Sequence, residues 1–190
     1  MTFADAGAKV LGLAQRLRIL LYRLRSDTKL ECSQAQPVLA LGRGVINICE
    51  SVVFGVYNSP GFYSSYCYIE ARRPESVIKV GSGCVFNNGC SIISDGKTVS
   101  IGQDCLFGRG VTIVDSDFHG IKPAERRGNV NVLRDDVEIG SNVFFGDNVT
   151  ILKGATIGDN SVIGSGALVI GCIPANSIAV GIPARTIRSI

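Results

Sequence analysis

A six-residue period governs the second half of the chain. From residue 139 to residue 169 an aliphatic or aromatic residue stands at every sixth position, and the same spacing occurs in two shorter runs upstream. Gly, Asn and Asp, which favour tight turns, are frequent between these positions. The pattern predicts short strands that each turn one bulky side chain inward and end at a corner. The bulky positions are Val80, Phe86, Ile92, Ile101, Phe107, Ile113, Ile139, Phe145, Ile151, Ile157, Ile163 and Val169.

The fifth residue of each hexad is small or β-branched, as at Cys84, Val143 and Ala155. Stacked turns of this kind bury a continuous column of side chains, and the strands of neighbouring turns satisfy each other's backbone groups. Three of the seven cysteines occupy such fifth positions, where we expect them to act as small apolar fillers. The cysteine count is odd and includes no C-x-x-C pair, which argues against a zinc ribbon or a redox motif and favours a reduced, cytoplasmic setting.

The repeat resembles that of the hexapeptide-repeat acyltransferases, in particular the maltose/galactoside O-acetyltransferase-like branch, which includes enzymes that modify polysaccharides. The resemblance rests on IGSNVFFGDNVTILKGATIGDNSVIGSGALVI and on the following IPANSIAVGIPARTI. It covers residues 80–190 well. The resemblance implies a mainly β protein, a left-handed parallel β-helix with three hexads per coil, that assembles as a homotrimer.

Two segments depart from the hexad pattern: residues 1–36 and the loop 114–137. Residues 1–36 are predicted as an N-terminal amphipathic helical segment, which precedes the β-helix domain of residues 37–190. Within 9–25 the apolar residues fall on one helical stripe flanked by Lys and Arg: Val10, Leu13, Leu17, Leu20, Leu21 and Leu24. Such a basic amphipathic helix either packs within the homotrimer or lies peripherally on an anionic membrane surface. A polar loop, 114–137, interrupts the repeat and is predicted to project from the solenoid.

Composition narrows the function classes. Charged residues make up only 18% of the 190 residues and hydrophobic residues 46%, which argues against intrinsic disorder. The formal net charge of +3, without a dense basic run in the body of the chain, argues against nucleic acid as a partner. A single histidine excludes the three-histidine zinc site of the related β-helix carbonic anhydrases, so no metal is expected.

The projecting loop holds that histidine, His119, in the segment DSDFHG. This setting resembles the catalytic-histidine segment of the family, and imidazole exchanges protons near neutral pH. We therefore predict that His119 is the general base. A base of this kind usually has an orienting partner; Asp117 and Glu125 are the nearby candidates, and a backbone carbonyl would serve equally. By resemblance, Asn88 and Asp95 are expected to hold the acceptor sugar, and Asp115 is a further acceptor-side candidate.

The resemblance also assigns residues to the donor, acetyl-CoA, which is expected in a groove between neighbouring β-helices. Gly146 or Asp147 is expected to supply the oxyanion donor. The small residues Ser165 and Gly166 match the lining of the pantetheine arm, and Ile170 and Gly171 stand where relatives often have Thr-Lys. Basic residues for the nucleotide phosphates are predicted at Lys153, Arg185 and Arg188.

These features favour an acetyl-CoA-dependent O-acetyltransferase that acts on a saccharide hydroxyl in surface-polysaccharide or glycoconjugate synthesis. One alternative keeps the fold and acetylates the amino group of a nucleotide-linked amino sugar. A second alternative, of another class, is a non-catalytic trimeric scaffold, in which His119 would be dispensable and CoA would not bind.

Overall fold

The structure, a computed structural model, describes residues 3–190, with side chains from residue 7 onward. Residues 1 and 2, part of the predicted N-terminal segment, lie outside the described residues. The chain begins with one long helix, α1 (Phe3–Arg25), and continues through twenty short strands and a 3₁₀ turn (Pro123–Glu125). The first strand of the solenoid starts at Ser33, four residues before the predicted boundary at 37.

Three sheets form the faces of a triangular prism, and successive strands take one face after another. Face A contains β1 (Ser33–Gln34), β4 (Val53–Phe54), β7 (Val85–Phe86), β10 (Leu106–Phe107), β13 (Phe144–Phe145), β16 (Val162–Ile163), β19 (Ser177–Gly181) and β20 (Ala184–Ser189). Face B contains β2 (Val38–Gly42), β5 (Cys67–Ala71), β8 (Ser91–Ser94), β11 (Thr112–Val114), β14 (Thr150–Ile151) and β17 (Leu168–Val169). Face C contains β3 (Val45–Ile48), β6 (Val77–Val80), β9 (Thr98–Ile101), β12 (Val137–Ile139), β15 (Thr156–Ile157) and β18 (Cys172–Ile173).

The strand register explains why the hexad works. Phe145 pairs with Ile163, three hexads later on the same face, so one coil of the prism uses three hexads. All pairings between named strands are parallel except the terminal β19–β20 hairpin. The first hexad position is buried throughout, and the fifth position fills the interior at each corner. The prediction of a solenoid with inward first and fifth positions is therefore confirmed.

Aromatic residues extend this core along face A. The rings of four phenylalanines, one from each of four successive coils, stack with centroid separations of 4.2 to 4.8 Å: Phe54, Phe86, Phe107 and Phe145. All four side chains are buried. Because stacked rings carry large buried areas, this column ties neighbouring coils together more strongly than the short strands alone would.

Asparagine makes the corners between faces C and A. Asn142, Asn160 and Asn176 all adopt the left-handed backbone conformation, with φ values of 56°, 57° and 54°, respectively. Their side-chain amides form a ladder, in which Asn142 donates to Asn160 (2.9 Å) and Asn160 donates to Asn176 (3.0 Å). Asparagine tolerates this conformation better than most residues, which explains the residue type at these positions.

Outward side chains differ between the faces. On face A the outward positions of six successive strands are all apolar: Val53, Val85, Leu106, Phe144, Val162 and Ile178. We call this set the face A column. The corresponding positions on face C include Asn47, Lys79, Ser100 and Glu138. The outward surface of face C is thus largely polar, whereas face A presents a continuous apolar strip.

Helix α1 packs at the N-terminal end of face B, against β2. Gln15 is 5% exposed and donates to the carbonyl oxygens of Ala35 (3.1 Å) and Phe62 (2.9 Å). Arg18 donates to the carbonyl oxygens of Tyr63 and Ser65. The predicted helix is present over 9–25, and these contacts come from the side of the helix opposite its apolar stripe.

Among residues 3–190, no helix is both long enough and apolar enough to cross a membrane.

Candidate active site

The predicted projecting loop leaves the prism at the corner between faces B and C. It connects β11 to β12, and its two stems are joined by an antiparallel bridge between Ser116 and Arg134. Two further backbone hydrogen bonds close the stems, from Asp117 N–H to the Leu133 carbonyl (3.1 Å) and from Asp135 N–H to the Asp115 carbonyl (3.0 Å). The loop is therefore a closed projection held at a fixed corner, where a rigid scaffold can carry functional residues.

Two buried aspartates hold the loop stems to the preceding coil. Asp115 is fully buried and accepts hydrogen bonds from Ser94 Oγ (2.8 Å), Asp95 N–H (2.7 Å) and Lys97 N–H (2.9 Å). Burial raises the pKa of Asp115, and these three donors oppose the rise. With its oxygens engaged in this way, Asp115 serves the fold of the corner.

Asp95 is the charged centre of this anchor. Its carboxylate, 3% exposed, accepts Arg73 Nε–H (3.0 Å) on one oxygen and Arg134 Nε–H (2.9 Å) on the other. Ser116 Oγ lies 3.3 Å from the second oxygen. Burial acts to raise the pKa of Asp95, but the two guanidinium groups outweigh it and the pKa is lowered. Asp95 thus links the body of the prism, through Arg73, to the loop stem, through Arg134.

His119 lies in this loop with an exposed side chain. Its Nδ1 is 3.1 Å from the carbonyl oxygen of Arg126 and 3.0 Å from Oδ1 of Asn129. A carbonyl oxygen accepts hydrogen bonds and cannot donate them, so Nδ1 carries the proton. The neutral ring then has its lone pair on Nε2, and Nε2 has no hydrogen-bond partner within residues 3–190. This arrangement suits a general base.

The two predicted orienting carboxylates do not contact the ring, which corrects that expectation. Asp117 pairs with Lys153 Nζ at 2.7 Å, and its other oxygen is buried and has no hydrogen-bond partner in the described part of the chain. Glu125 accepts a hydrogen bond from Asn131 (2.9 Å) and lies 3.7 Å from Lys122 Nζ. The 3₁₀ turn that includes Glu125 aims the carbonyl of the next residue at the ring instead. The orienting groups are the Arg126 carbonyl, a type of partner that the sequence analysis left open, and Asn129, which it missed because no motif marks it.

A second set of predicted residues, Asn88, Asp147 and Ser165, occupies a different corner, between faces A and B. Strand register stacks them there in one column with Arg109, which was not predicted. Arg109 and Asp147 form an ion pair (2.9 Å), and the Arg109 N–H donates to Asp147 (2.8 Å). That backbone hydrogen bond is the main reason why the pKa of Asp147 is lowered, with the Arg109 side chain adding to it and slight burial opposing.

Asn88 is held by its own chain. Its side chain is 3% exposed; Oδ1 accepts the Val56 N–H (3.1 Å), and Nδ2 lies within 3.1 to 3.2 Å of the carbonyls of Val56, Ser59 and Pro60. These contacts brace the turn 56–60 against the A/B corner. Within one chain, Asn88 shapes this part of the surface, and its acceptor role remains a prediction.

An open groove of about 370 Å³ runs beside the same corner. Its lining combines apolar residues of face A, such as Leu106 and Phe144, with three residues predicted to bind acetyl-CoA: Gly146, Asp147 and Ser165. The amides predicted as oxyanion donors are engaged: Gly146 N–H donates to the Ile163 carbonyl (2.8 Å), and Asp147 N–H donates to Ser165 Oγ (3.2 Å). The oxyanion prediction therefore does not fit Gly146, whose amide belongs to the strand ladder.

The remaining predicted donor-binding residues fall into three places. Gly166 joins Ser165 at the A/B corner, and a side chain there would meet open space. Lys153, Ile170 and Gly171 lie at the B/C corner, below the His119 loop, where Gly171 also borders open space. Arg185 and Arg188 are exposed on β20, at the C-terminal end of face A. The glycine corners leave room for a long, thin ligand, whereas the basic residues are spread over different parts of the prism.

Within residues 3–190, no cluster of three or more His, Cys, Asp or Glu side chains has the arrangement of a metal site.

Comparison with known families is consistent with this architecture. Residues 136–171 match the family model for bacterial transferase hexapeptides (six repeats), and residues 98–122 match that for the hexapeptide repeat of succinyl-transferase. Galactoside O-acetyltransferase of Escherichia coli (strain K12) is 40% identical over 115 residues, which cover 60% of this chain and 55% of that protein. The chain is thus similar to the hexapeptide-repeat transferases over these segments.

Solved structures extend the similarity of this hexapeptide-repeat chain to nearly its full length. A maltose O-acetyltransferase from Clostridium difficile 630 is 26% identical, with a TM-score of 0.57, 95% of this chain covered and 88% of that chain. A galactoside acetyltransferase in complex with coenzyme A is 25% identical, with a TM-score of 0.54 and coverages of 100% and 85%. The polySia-specific acetyltransferase NeuO is 26% identical, with a TM-score of 0.63 and coverages of 81% and 69%.

These likenesses confirm the predicted fold, a left-handed parallel β-helix with one N-terminal helix. In the sequence comparison, the chain spans about half the length of the galactoside O-acetyltransferase that it matches.

Proposed function

We propose that this protein is an acetyl-CoA-dependent O-acetyltransferase that acts on a saccharide hydroxyl, with His119 as the general base. The observation that carries the proposal is the contact of His119 Nδ1 with the Arg126 carbonyl oxygen (3.1 Å), which leaves Nε2, exposed on the anchored loop, without a hydrogen-bond partner among residues 3–190. The similarity to galactoside, maltose and polysialic acid acetyltransferases supports a saccharide acceptor.

The proposed reaction uses one proton transfer in each direction. Nε2 of His119 removes the proton from an acceptor hydroxyl as its oxygen attacks the thioester carbonyl of acetyl-CoA. The Arg126 carbonyl then stabilises the imidazolium through Nδ1–H, in the role that a carboxylate has in a catalytic triad. Collapse of the tetrahedral intermediate breaks the carbon–sulfur bond, and the proton on Nε2 passes to the leaving CoA thiolate. The products are the O-acetyl ester and free CoA, and His119 returns to its starting tautomer.

The homotrimer is part of the proposal. The His119 loop leaves the B/C corner, whereas the groove with Asp147 and Ser165 lies at the A/B corner, so one prism holds the two sets on different edges. Neighbouring prisms that meet along an edge can bring the loop of one subunit to the groove of the next. The face A column supplies an apolar surface for such an assembly, with Leu106 48% and Phe144 49% exposed.

We infer from the saccharide-modifying relatives that the biological role lies in surface-polysaccharide or glycoconjugate synthesis. The acceptor surface would be shared between the A/B corner, near Asn88, and the loop that carries His119. Asp95 contributes to it by anchoring that loop, since its own carboxylate is engaged with Arg73 and Arg134.

The decisive experiment measures CoA release with a panel of saccharides, with and without His119→Ala. We expect kcat to fall by about 10²-fold or more in the variant, because the removed group acts in proton transfer. Binding of CoA, measured separately by calorimetry, should be unchanged, because the base is not part of the donor groove. Arg127→Ala is the matched control: Arg127 lies in the same loop and is exposed, and it is not among the described hydrogen-bond partners of the His119 ring.

Three outcomes would overturn parts of the proposal. Turnover only with amino sugars would replace the hydroxyl acceptor by an amine. Unchanged kcat in His119→Ala would remove the proposed base. Failure to bind CoA at all would leave a non-catalytic solenoid.

A further inference from the structure

Helix α1 presents two different faces, and its contacts with the β-helix come from one face and from Arg23 at its border, which donates Nε–H to Gln34 Oε1 (3.0 Å). The inner face makes polar contacts: Gln15 and Arg18 donate to loop carbonyls, and the ring of Tyr22 lies 5.0 Å from that of Tyr66. These positions follow a spacing of three and four residues, so they lie along one side of the helix. The contacts fix the rotation of α1 about its own axis.

The apolar stripe lies on the opposite face and has no covering within the described chain. Its six members are between 52% and 75% exposed: Val10, Leu13, Leu17, Leu20, Leu21 and Leu24. A row of six exposed aliphatic side chains on one helix is larger than the scattered apolar residues of an ordinary protein surface. The stripe therefore needs a partner outside its own chain.

Charge indicates which partner fits. Arg16 and Arg23 border the stripe on one side and Arg25 on the other, and all three are exposed. No acidic residue occurs between Lys9 and Asp27. A helix whose apolar face is bordered by arginines suits an anionic lipid surface, where the aliphatic side chains enter the acyl boundary and the guanidinium groups meet the phosphates.

A second copy of the helix is a poorer match. Two copies of α1 packed stripe to stripe would bring like charges together, with no acid on this part of the helix to offset them. Self-association also has a separate surface, since the face A column lies on another face of the prism from β2, against which α1 packs. The two apolar surfaces thus lie on different parts of the molecule.

We propose that the apolar stripe of α1 docks this protein on an anionic phospholipid surface, with the helix lying along that surface and the β-helix on its outer side. The inner contacts of Gln15 and Arg18 keep the stripe turned outward. This inference does not depend on the proposed acetyltransferase chemistry.

Vesicle flotation of the full chain tests the proposal. We expect the protein to float with vesicles of phosphatidylcholine and phosphatidylglycerol, to remain unbound with phosphatidylcholine alone, and to be released progressively by salt. Leu17→Glu should lower the partition coefficient by about tenfold or more, because it places a charge in the middle of the stripe. Arg16→Gln should weaken binding to the anionic vesicles by a smaller factor.

The controls separate lipid binding from misfolding and from self-association. Asn47→Glu adds the same charge on exposed face C and should float like the wild type. Glutamate is a good helix former, so circular dichroism of Leu17→Glu should match the wild type. Mass measurement in solution completes the design. If the wild type does not float with anionic vesicles, the proposal is overturned; a smaller oligomer for Leu17→Glu would then show that another copy covers the stripe.

Discussion

Replacement of Asp95 by asparagine tests whether the buried anchor controls the loop that carries His119. The carboxylate holds Arg73 at 3.0 Å with one oxygen and Arg134 at 2.9 Å with the other. Asparagine keeps the size but presents an N–H₂ group to one of these guanidinium donors. One charge-assisted hydrogen bond is lost as a result, and a donor is placed against a donor.

The expected free-energy cost of Asp95→Asn depends on how exposed the arginine partners of Asp95 are. A hydrogen bond to a charged group contributes about 1.5–3 kcal/mol. The side chain of Arg134 is 22% exposed, so water recovers part of the loss. We therefore expect Asp95→Asn to cost about 2 kcal/mol, which is a factor of about 30 in the population of the open loop. The effect should be local, because Arg134 and Ser116 belong to the loop stems while the stacked core is untouched.

Limited trypsin digestion reports on this opening, because Arg126 and Arg127 are exposed near the tip of the loop. When opening is fast relative to cleavage, the cleavage rate follows the population of the open form. We expect cleavage after these residues, identified by mass spectrometry, to rise by about 30-fold in Asp95→Asn, in proportion to the open population. Glu138→Gln, an exposed acid on face C, is the control. An unchanged cleavage rate, or a fall in global stability without faster loop cleavage, would refute the assignment of Asp95 as a loop anchor.

Three further predictions concern the prism itself. Phe107→Ala should reduce the free energy of unfolding by about 3–5 kcal/mol in urea denaturation, because it interrupts the stacked ring column, and Phe107→Leu should recover most of that loss. Asn160→Ala should cost about 1–3 kcal/mol, since alanine is strained at its φ of 57° and both ladder hydrogen bonds disappear; Asn160→Gly, which avoids the strain, should cost less. The pKa of Asp147 is lowered in the folded protein, so its carboxylate stabilises the fold at pH values above the ordinary aspartate pKa. This stabilisation is lost as the pH falls through the lower folded pKa, so the difference in stability between wild type and Asp147→Asn should shrink in acid. An equal difference at neutral and acid pH would contradict that linkage.

The sequence predicts the β-helix well because each hexad is locally complete. A bulky residue such as Phe145, a small one such as Val149 and a turn residue such as Asn148 lie within six positions, and all three behave as their chemistry requires. The site was less predictable, because it depends on contacts between distant positions. The carbonyl of Arg126 orients His119 through the backbone, and a backbone group leaves no signature in the choice of side chain.

Helix α1 is a second example in which contacts between distant positions leave no pattern in the sequence. Its period identifies six aliphatic residues on one stripe, and the usual interpretation turns such a stripe toward the protein interior. The structure turns it outward, because Gln15 and Arg18 satisfy the carbonyl oxygens of Ala35, Phe62 and Ser65, and a polar interface of this kind has no apolar periodicity.

The corners of the prism explain why the proposed chemistry requires more than one chain. Strand register fixes every third hexad to the same corner, so Asn88, Arg109, Asp147 and Ser165 form one column, whereas Lys153 and the His119 loop occupy another. No change of side-chain conformation moves a residue from one edge of a rigid prism to another. In the proposed function, a donor groove at the A/B corner and a base at the B/C corner would meet across a boundary between subunits. The apolar column on face A, which a monomer would leave in water, is the surface that makes such a boundary favourable.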